Sequence, residues 1–548
     1  MISTNQKVLS GECRIKLPRP TGEANRTGQS NRPTERANQT GETRMSTKEK
    51  AATPASGDNL PKPDSLGAWL QDVDEMGDLM VISAEVDPHL QMSTVAYLSG
   101  QEVDSPVLMF DNIKGHPGGR TVYNLANSSL TRSAMTIRET PGPSGTELVS
   151  ALKDKMKTKV GPTQIDAGDA IVNQNIETGD DIDIRKFPAP QMWPLDGGRY
   201  IGTGDAVITK DPETGRVNVG CYRQMIKSRN EVGYYASPGK DTLLDREKWW
   251  AMGKPAPVAA VYGSDPLLFM VASTSFPKDS SEMDHYGGIA GQPLEVFESD
   301  VTGLPLPANA EIIVEGFSYP DKTFKEGPFG EFTGYYGRPG DATPYIEIEK
   351  VRYKNDPILM CALMAEWPAS ECGVLWSMTK AAKVWADLDA MGVPGIQGVW
   401  SPPEAAAWGM TVVSIKQMYA GHAAQTMALA AQCMGGAYFT KYIVVVDDDV
   451  DPTSLANVTW AMVTRSRPAE SIDILRETWS TYLDPSLNPP EMRPWGSKCL
   501  INACMDYKNI DNFSPRTRLD HPAYDEVVKR WAEFGFEGEA PKIEVFEE

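Results

Sequence analysis

Three short polar segments stand in otherwise apolar, glycine-rich surroundings, and their residue types suit acid–base and anion-binding chemistry. In Asn218-Val-Gly-Cys-Tyr-Arg223 an amide and a guanidinium lie five residues apart. In an extended chain such a pair points to opposite faces, so the two can serve neighbouring sites. In Lys325-Glu326-Gly-Pro-Phe-Gly-Glu331-Phe-Thr-Gly-Tyr-Tyr-Gly337 two carboxylates flank a Gly/Pro turn that Phe329, Phe332 and Tyr335 would keep dry. Apolar surroundings raise a carboxyl pKa and a nearby arginine lowers it, so this pair can divide into one ionised group and one proton donor. The third segment, Ser414-Ile-Lys416-Gln-Met-Tyr419, sets a lone lysine behind an apolar strand. Each has a plainer reading: a surface arginine at a strand end, a loop of solvated acids, and a snorkelling lysine.

The elements that must position these residues follow from spacing. Ser65 reads as an N-cap, with Leu66, Trp69, Leu70, Val73 and Met76 at helical intervals and Gly77 as the stop. Between about 165 and 350 apolar runs at 205–209, 258–262, 267–272, 310–315 and 345–353 alternate with Gly/Pro/Asp turns, which predicts strands and a β-rich domain, a barrel. After about 355 the pattern becomes α/β: an Ala-rich helix at 422–434, Gly435–Gly436, then an apolar strand at 442–446 ending in Asp447-Asp448-Asp449. The stretch 485–548, rich in Pro, Asp and Glu with one helix at 525–534, reads as wrapping a neighbour rather than forming a core. Residues 1–60 have few large apolar side chains and read as a disordered tail, with Met45 an alternative start. The expected division is a tail (1–60), an N-terminal α/β domain (61–164), a β-barrel cofactor domain (165–354), a C-terminal α/β domain (355–515) and a C-terminal tail (516–548).

At 548 residues the chain is too long for one small binding module. Its 74 acidic residues outnumber 53 basic ones, a formal charge of −21, which disfavours a general nucleic-acid coat. An anionic ligand would therefore need a local cationic pocket. No apolar run reaches the roughly 18 to 20 residues of a membrane helix, and the seven cysteines are odd in number and lack a CxxC pair. A protein of the reducing cytoplasm is expected. P-loop, zincin and α/β-hydrolase motifs are absent, as is a strand-to-helix GxGxxG.

Taken together, Asp196-Gly-Gly-Arg-Tyr-Ile201, Asn218-x4-Arg223, Ser281-Glu282, 310–316, Glu326-Gly-Pro-Phe-Gly-Glu331 and 444–452 resemble the UbiD family of decarboxylases, which use prenylated FMN. The resemblance implies an N-terminal α/β domain, a central split β-barrel of flavin-reductase type and a C-terminal α/β domain that forms a dimer. It implies reversible, non-oxidative decarboxylation of an aromatic, phenolic acid, with aryl-CoA thioesters as the alternative substrates. A flavin oxidoreductase without decarboxylation is a competing class, which leaves Glu326 and Glu331 idle. By position Arg223, Glu326 and Glu331 match the catalytic Glu-Arg-Glu network, with Glu331 the proton donor. Thr203, Asn218, Gly220, Cys221, Tyr222, Arg223, Gly239, Lys240, Ser273, Thr274, Glu282, Lys416 and Tyr419 match cofactor positions.

In the family a divalent ion, manganese or magnesium, and potassium join the flavin phosphate to an Asn, a His and a Glu. Asn218 and Glu282 fill two places, but Asp241 stands where the histidine usually does, so the metal's identity is open. His285, three residues after Glu282, is a substitute nitrogen ligand whose plainer reading is a partly exposed helix residue. Potassium would sit on carbonyls near 272–274. The implied partners are the aromatic acid, CO2, a flavin prenyltransferase as cofactor supplier, and further copies of the chain in a homodimer or homohexamer, with neither nucleic acid nor membrane.

Overall fold

The computed structural model describes residues 64–489, 492, 495–543 and 545. The expected tail at 1–60 and the alternative start lie outside the described residues. The first helix, Leu66–Glu75, is the one the spacing predicts: Ser65 accepts a hydrogen bond from the Ala68 N–H at 3.2 Å, and Leu66, Trp69, Leu70 and Val73 are buried. Behind it lies a four-stranded mixed sheet in the order Leu79–Ile82, Val107–Phe110, Arg120–Tyr123, Ile358–Met360. Its last strand arrives from far along the sequence, so the chain returns to the N-terminal layer after completing the β-rich part.

That part is a nine-stranded sheet whose main path runs Tyr200–Gly202, Gln224–Ser228, Glu231–Gly233, Gly340–Tyr353, Ile312–Glu326, Ala256–Tyr262, Asp205–Lys210, Val217–Gly220. Chain connectivity forces this sheet to curl. Only Thr203-Gly204 separates a strand at one edge from a strand next to the other edge, and only Cys221-Tyr222-Arg223 makes the return crossing. Links this short reach no more than about 14 Å, so the two edges must face each other across a narrow seam. The result is the half-closed barrel expected, and the polar segment that ends in Arg223 is the seam itself.

Two long strands, Ile312–Glu326 and Gly340–Tyr353, run antiparallel, with Glu326 opposite Gly340 at their far end. Register shifts between Glu315 and Gly316, between Ser318 and Thr323 and between Phe324 and Glu326 bend this arm. The connection between the strands carries Glu331.

Two expectations are corrected. Residues 267–272 are helical, within Pro266–Ala272: the Asp265 side chain accepts from the Leu267 N–H at 3.1 Å and Pro266 starts the helix. A short apolar run is compatible with a buried helix as much as with a strand, and the Asp-Pro start decides here. Within the stretch expected to wrap a neighbour, Gly496–Ala503 is a strand inside the C-terminal sheet, ordered Ile396–Trp400, Met410–Ile415, Tyr442–Asp447, Gly496–Ala503, Ile472–Thr478. Its Lys498 is buried and donates to the carbonyls of Gly436, Ala437 and Thr440 at 3.0, 2.9 and 2.7 Å, so a charged residue is accommodated in a core strand. The expected helix 422–434 is observed as His422–Gln432 and the strand at 442–446 as Tyr442–Asp447. No described helix is long and apolar enough to cross a membrane.

Candidate active site

Arg223 leaves the seam and enters a fork of two carboxylates. Its Nε and Nη2 donate to Oε1 and Oε2 of Glu326 at 3.0 and 2.9 Å, and its Nη1 donates to Glu331 Oε1 at 2.6 Å. Glu326 also accepts from the Tyr200 hydroxyl at 2.7 Å and is fully buried. The guanidinium lies 4.5 Å from the Tyr235 ring centroid and 5.5 Å from that of Phe329, so its faces are covered as well as its edge. Burial opposes the charge of Arg223, but Glu326 and then Glu331 outweigh it and hold the guanidinium protonated. Glu331 is 7% exposed, and burial, the largest effect, pushes its pKa up to about 7 against the pull of Arg223. The two acids are thus unequal: three donors serve Glu326 and one serves Glu331.

The turn between them is held from below by Asp196. Its Oδ2 accepts from the N–H groups of Met192 and Trp193 at 3.2 and 2.9 Å, and its Oδ1 from Gly330 at 2.9 Å. Burial raises this carboxyl to about 6. Gly330 is required by close approach, since a Cβ there would come within 2.1 Å of the Trp193 ring. Gly327 needs its φ of +78°.

Arg223 and Glu331 line a cavity together with Thr203, Asp205, Cys221, Tyr222, Tyr235, Lys240 and Ser273 on the barrel side. The opposite wall is aromatic: Trp376 and Trp408 stack with centroids 4.3 Å apart, and Phe332 meets both edge-on. Lys240 Nζ lies 4.6 Å from the Tyr438 ring and has no ion pair among the described residues. Burial lowers its pKa, with Asp241 opposing. The Asp205 carboxyl is buried, neither oxygen has a well-formed hydrogen bond, and burial pushes its pKa well up.

Of the residues singled out from sequence, Thr203, Cys221, Tyr222, Arg223, Lys240, Ser273 and Glu331 reach this cavity, and Thr274 lines a smaller one that shares Lys240 and Ser273 with it. Ser273 and Thr274 both donate their hydroxyls to the Met270 carbonyl, at 2.7 and 2.9 Å. Gly220 ends the strand leading into the seam, and Gly239, at φ +85°, precedes Lys240. Phe329 and Phe332 cover the site, but Tyr335 is 63% exposed and does not. Lys416 and Tyr419 are not brought to the cavity. The Lys416 N–H pairs with the Gly395 carbonyl at 2.8 Å, and the Tyr419 hydroxyl donates to Gln425 at 2.6 Å.

Asp241, next to Lys240 in the chain, and Glu282 form a separate cluster, and Asn218 precedes Val219, whose N–H pairs with Glu282. Asn218 Nδ2 donates to Thr209 Oγ1 at 3.2 Å, and Glu282 Oε2 accepts from the Val219 N–H at 2.8 Å. Burial pushes Glu282 up to about 7. Between the two carboxylates lies a residue that sequence reading passed over, Arg216, with Nη1 2.9 Å from Asp241 Oδ2 and Nη2 3.3 Å from Glu282 Oε1. His285 is neither a partner of these acids nor partly exposed: it is 3% exposed, stacked on Phe276 at 3.8 Å, with Nε2 3.0 Å from the Ser280 hydroxyl.

Comparison with known proteins places this geometry. The chain matches the 3-octaprenyl-4-hydroxybenzoate carboxy-lyase N-terminal domain over residues 70–152, the Rift-related domain over 163–367 and the C-terminal domain over 373–503. It belongs to the UbiD family. A UbiD-type relative, pyrrole-2-carboxylic acid decarboxylase of Pseudomonas aeruginosa, is 27% identical over 482 residues, covering 84% of this chain and 96% of the relative. Among solved structures, the closed form of vanillic acid decarboxylase from Sedimentibacter hydroxybenzoicus superposes with a TM-score of 0.77 at 26% identity, covering 87% and 100% of the two chains. An evolved dimeric form of the UbiD-class enzyme HmfF from Pelotomaculum thermopropionicum, in complex with prenylated FMN, shares the fold with a TM-score of 0.73 at 23% identity, covering 86% and 99%. Family and relatives make this UbiD-type chain a carboxy-lyase.

Proposed function

We propose that the chain decarboxylates a phenolic aromatic acid, reversibly and without oxidation, using prenylated FMN held in the seam cavity, with Glu331 as the proton donor. The observation that carries this reading is the Arg223 fork: a guanidinium clamped by one carboxylate held at both oxygens, Glu326, and one held by a single N–H, Glu331, on the wall of an aromatic cavity. The residues present suit a flavin phosphate and ring. Lys240 is a cavity-facing cation with no protein ion pair among the described residues, and the Trp376–Trp408 stack offers flat apolar surface. When bound, the cofactor supplies the electron sink that lets CO2 leave.

The protein's own groups have distinct tasks. Of the five N–H donors of Arg223, two serve Glu326, one serves Glu331 and one points at the Arg338 carbonyl at 3.5 Å, which leaves one for the substrate carboxylate. Glu326, fixed in turn by Tyr200, sets the plane of the guanidinium. Glu331 delivers a proton to the carbon that has lost CO2, which its pKa near neutrality allows. Phe329 and Phe332 limit competing proton transfer from water. The test is a screen of protein produced alongside a flavin prenyltransferase, following CO2 release from hydroxybenzoates, other aromatic acids and their CoA esters. Release from a phenolic acid with a prenylated-flavin absorbance is expected. Ordinary FMN absorbance, or none, overturns the cofactor assignment.

A further inference from the structure

The cluster of Asp241 and Glu282 departs from what a divalent ion needs. Each of the four carboxylate oxygens already faces one donor, and one oxygen of each carboxylate faces the same guanidinium, which stands where a shared cation would sit. Asp241 Oδ2 and Glu282 Oε1 face the guanidinium of Arg216, Asp241 Oδ1 faces Lys278 Nζ at 3.2 Å, and Glu282 Oε2 takes the Val219 N–H. Arg216 is itself locked, because its Nε donates to the Ser280 carbonyl at 2.9 Å and its side chain is 13% exposed. With Arg216 between its two carboxylates, the cluster does not fit the family's divalent ion.

Charge is met within the cluster: the Asp241 and Glu282 carboxylates face the Arg216 guanidinium, and Asp241 also meets the exposed Lys278. Asp241 and Glu282 are each the first residue of a helix, Asp241–Ala251 and Glu282–Ala290, where a carboxylate is favoured by the helix dipole. The aspartate in the histidine's place and the arginine two residues before Asn218 thus compensate each other.

We propose that Arg216 takes the place of the divalent cation, so that this chain binds its flavin phosphate without a metal. The guanidinium joins Asp241 to Glu282, and Lys240 supplies the charge that faces the cavity. This rests on the flavin assignment above and goes beyond it, since a flavin can be bound with or without a metal.

The test uses holoprotein made with the flavin prenyltransferase, dialysed against EDTA, then assayed for metal by mass spectrometry and for flavin by absorbance. The expected result is a full flavin complement with no stoichiometric divalent ion. Arg216→Ala should lower flavin affinity about tenfold, because two uncompensated carboxylates then repel the phosphate, and the freed carboxylates should now bind Mn2+, seen by paramagnetic resonance. Arg216→Lys, which keeps the charge, should retain more flavin than Arg216→Ala. One divalent ion per flavin in the wild type, with flavin lost to EDTA, overturns the proposal while leaving the flavin assignment standing. Absence of any flavin, with or without Mn2+, overturns both. Should Arg216→Ala fail to fold, the wild-type ratio of metal to flavin decides alone.

Discussion

The Glu326 carboxylate receives both Nε and Nη2 of Arg223, at 3.0 and 2.9 Å, a two-point contact that fixes the guanidinium in plane as well as in position. Glu331 meets the same guanidinium through a single N–H at 2.6 Å. Two acids five residues apart in sequence thereby acquire different work, and the difference predicts how each variant should behave.

Glu331 has a pKa raised to about 7 by burial, and the form that gives a proton is the neutral one. Turnover should therefore fall as pH rises through about 7, in a one-proton step. Arg223 is the main influence holding that pKa down, so Arg223→Lys, with poorer geometry, should move the basic limb of the kcat profile to higher pH. A limb that stays in place in Arg223→Lys would show that Glu331 is not the titrating group. The same shift bears on stability. The folded-state pKa lies above the ordinary 4.5, so the folded protein binds the proton more tightly and this group's contribution is lost as pH rises from about 4.5 through 7. Glu331→Gln should lessen that loss in denaturation followed at two pH values.

Tyr200 acts through Glu326 rather than on the substrate. Burial, with Glu326 next, pushes its phenol pKa up and keeps it a donor. Tyr200→Phe removes a 2.7 Å hydrogen bond to a buried carboxylate, worth about 1.5–3 kcal/mol. Because only the aim of Arg223 is affected, kcat should fall about tenfold or more while flavin content is unchanged. Loss of flavin in parallel would make the role structural.

Asp196 joins the Met192–Trp193 segment to the Gly330 turn through three N–H groups. Asp196→Ala strands all three, at about 1–3 kcal/mol each if they stay dry. Chemical denaturation should show a marked loss of stability, and Asp196→Asn, which keeps an acceptor, a smaller one.

Gly330→Ala tests the close packing of the turn. With Trp193 Cδ1 only 2.1 Å from the new Cβ, the turn or the indole must move, at about 1–3 kcal/mol, and Glu331 moves with it. Gly168→Ala, which meets no atom within 4 Å, serves as the control and should be silent in both activity and melting temperature.

Much of this site was legible in sequence because its chemistry sits in compact segments. Glu326 and Glu331 flank one turn, and Arg223 closes one six-residue stretch. The β-rich middle, too, followed from strand spacing, whereas its splitting open came only with the family resemblance. What sequence could not show is convergence between distant segments. Trp376, Trp408 and Tyr438 complete the cavity from the C-terminal part, and no local spacing marks them as its wall. Tyr200 and Asp196 lay inside a segment already noticed, but the partners that tie them to the site, Glu326 and Gly330, are more than a hundred residues away. Asp205, two residues after Thr203, looked like an ordinary strand start. Arg216 is the clearest case: the aspartate at 241 was visible as a departure, whereas the arginine that answers it is seen only once the two helix starts and the strand are folded together. The helix at Pro266–Ala272 shows the opposite failure, where a capping aspartate and proline were present but the apolar run was read as a strand.

The most direct test of the central claim is proton exchange at the carbon that loses CO2. Holoenzyme with prenylated flavin would be incubated in deuterium oxide with the decarboxylated aromatic product, and deuterium incorporation followed by nuclear magnetic resonance. The wild type should exchange that one position, and Glu331→Gln, still loaded with flavin, should slow the exchange by about a hundredfold or more, the usual worth of a positioned acid. Exchange at the wild-type rate in Glu331→Gln would remove Glu331 from the role of proton donor.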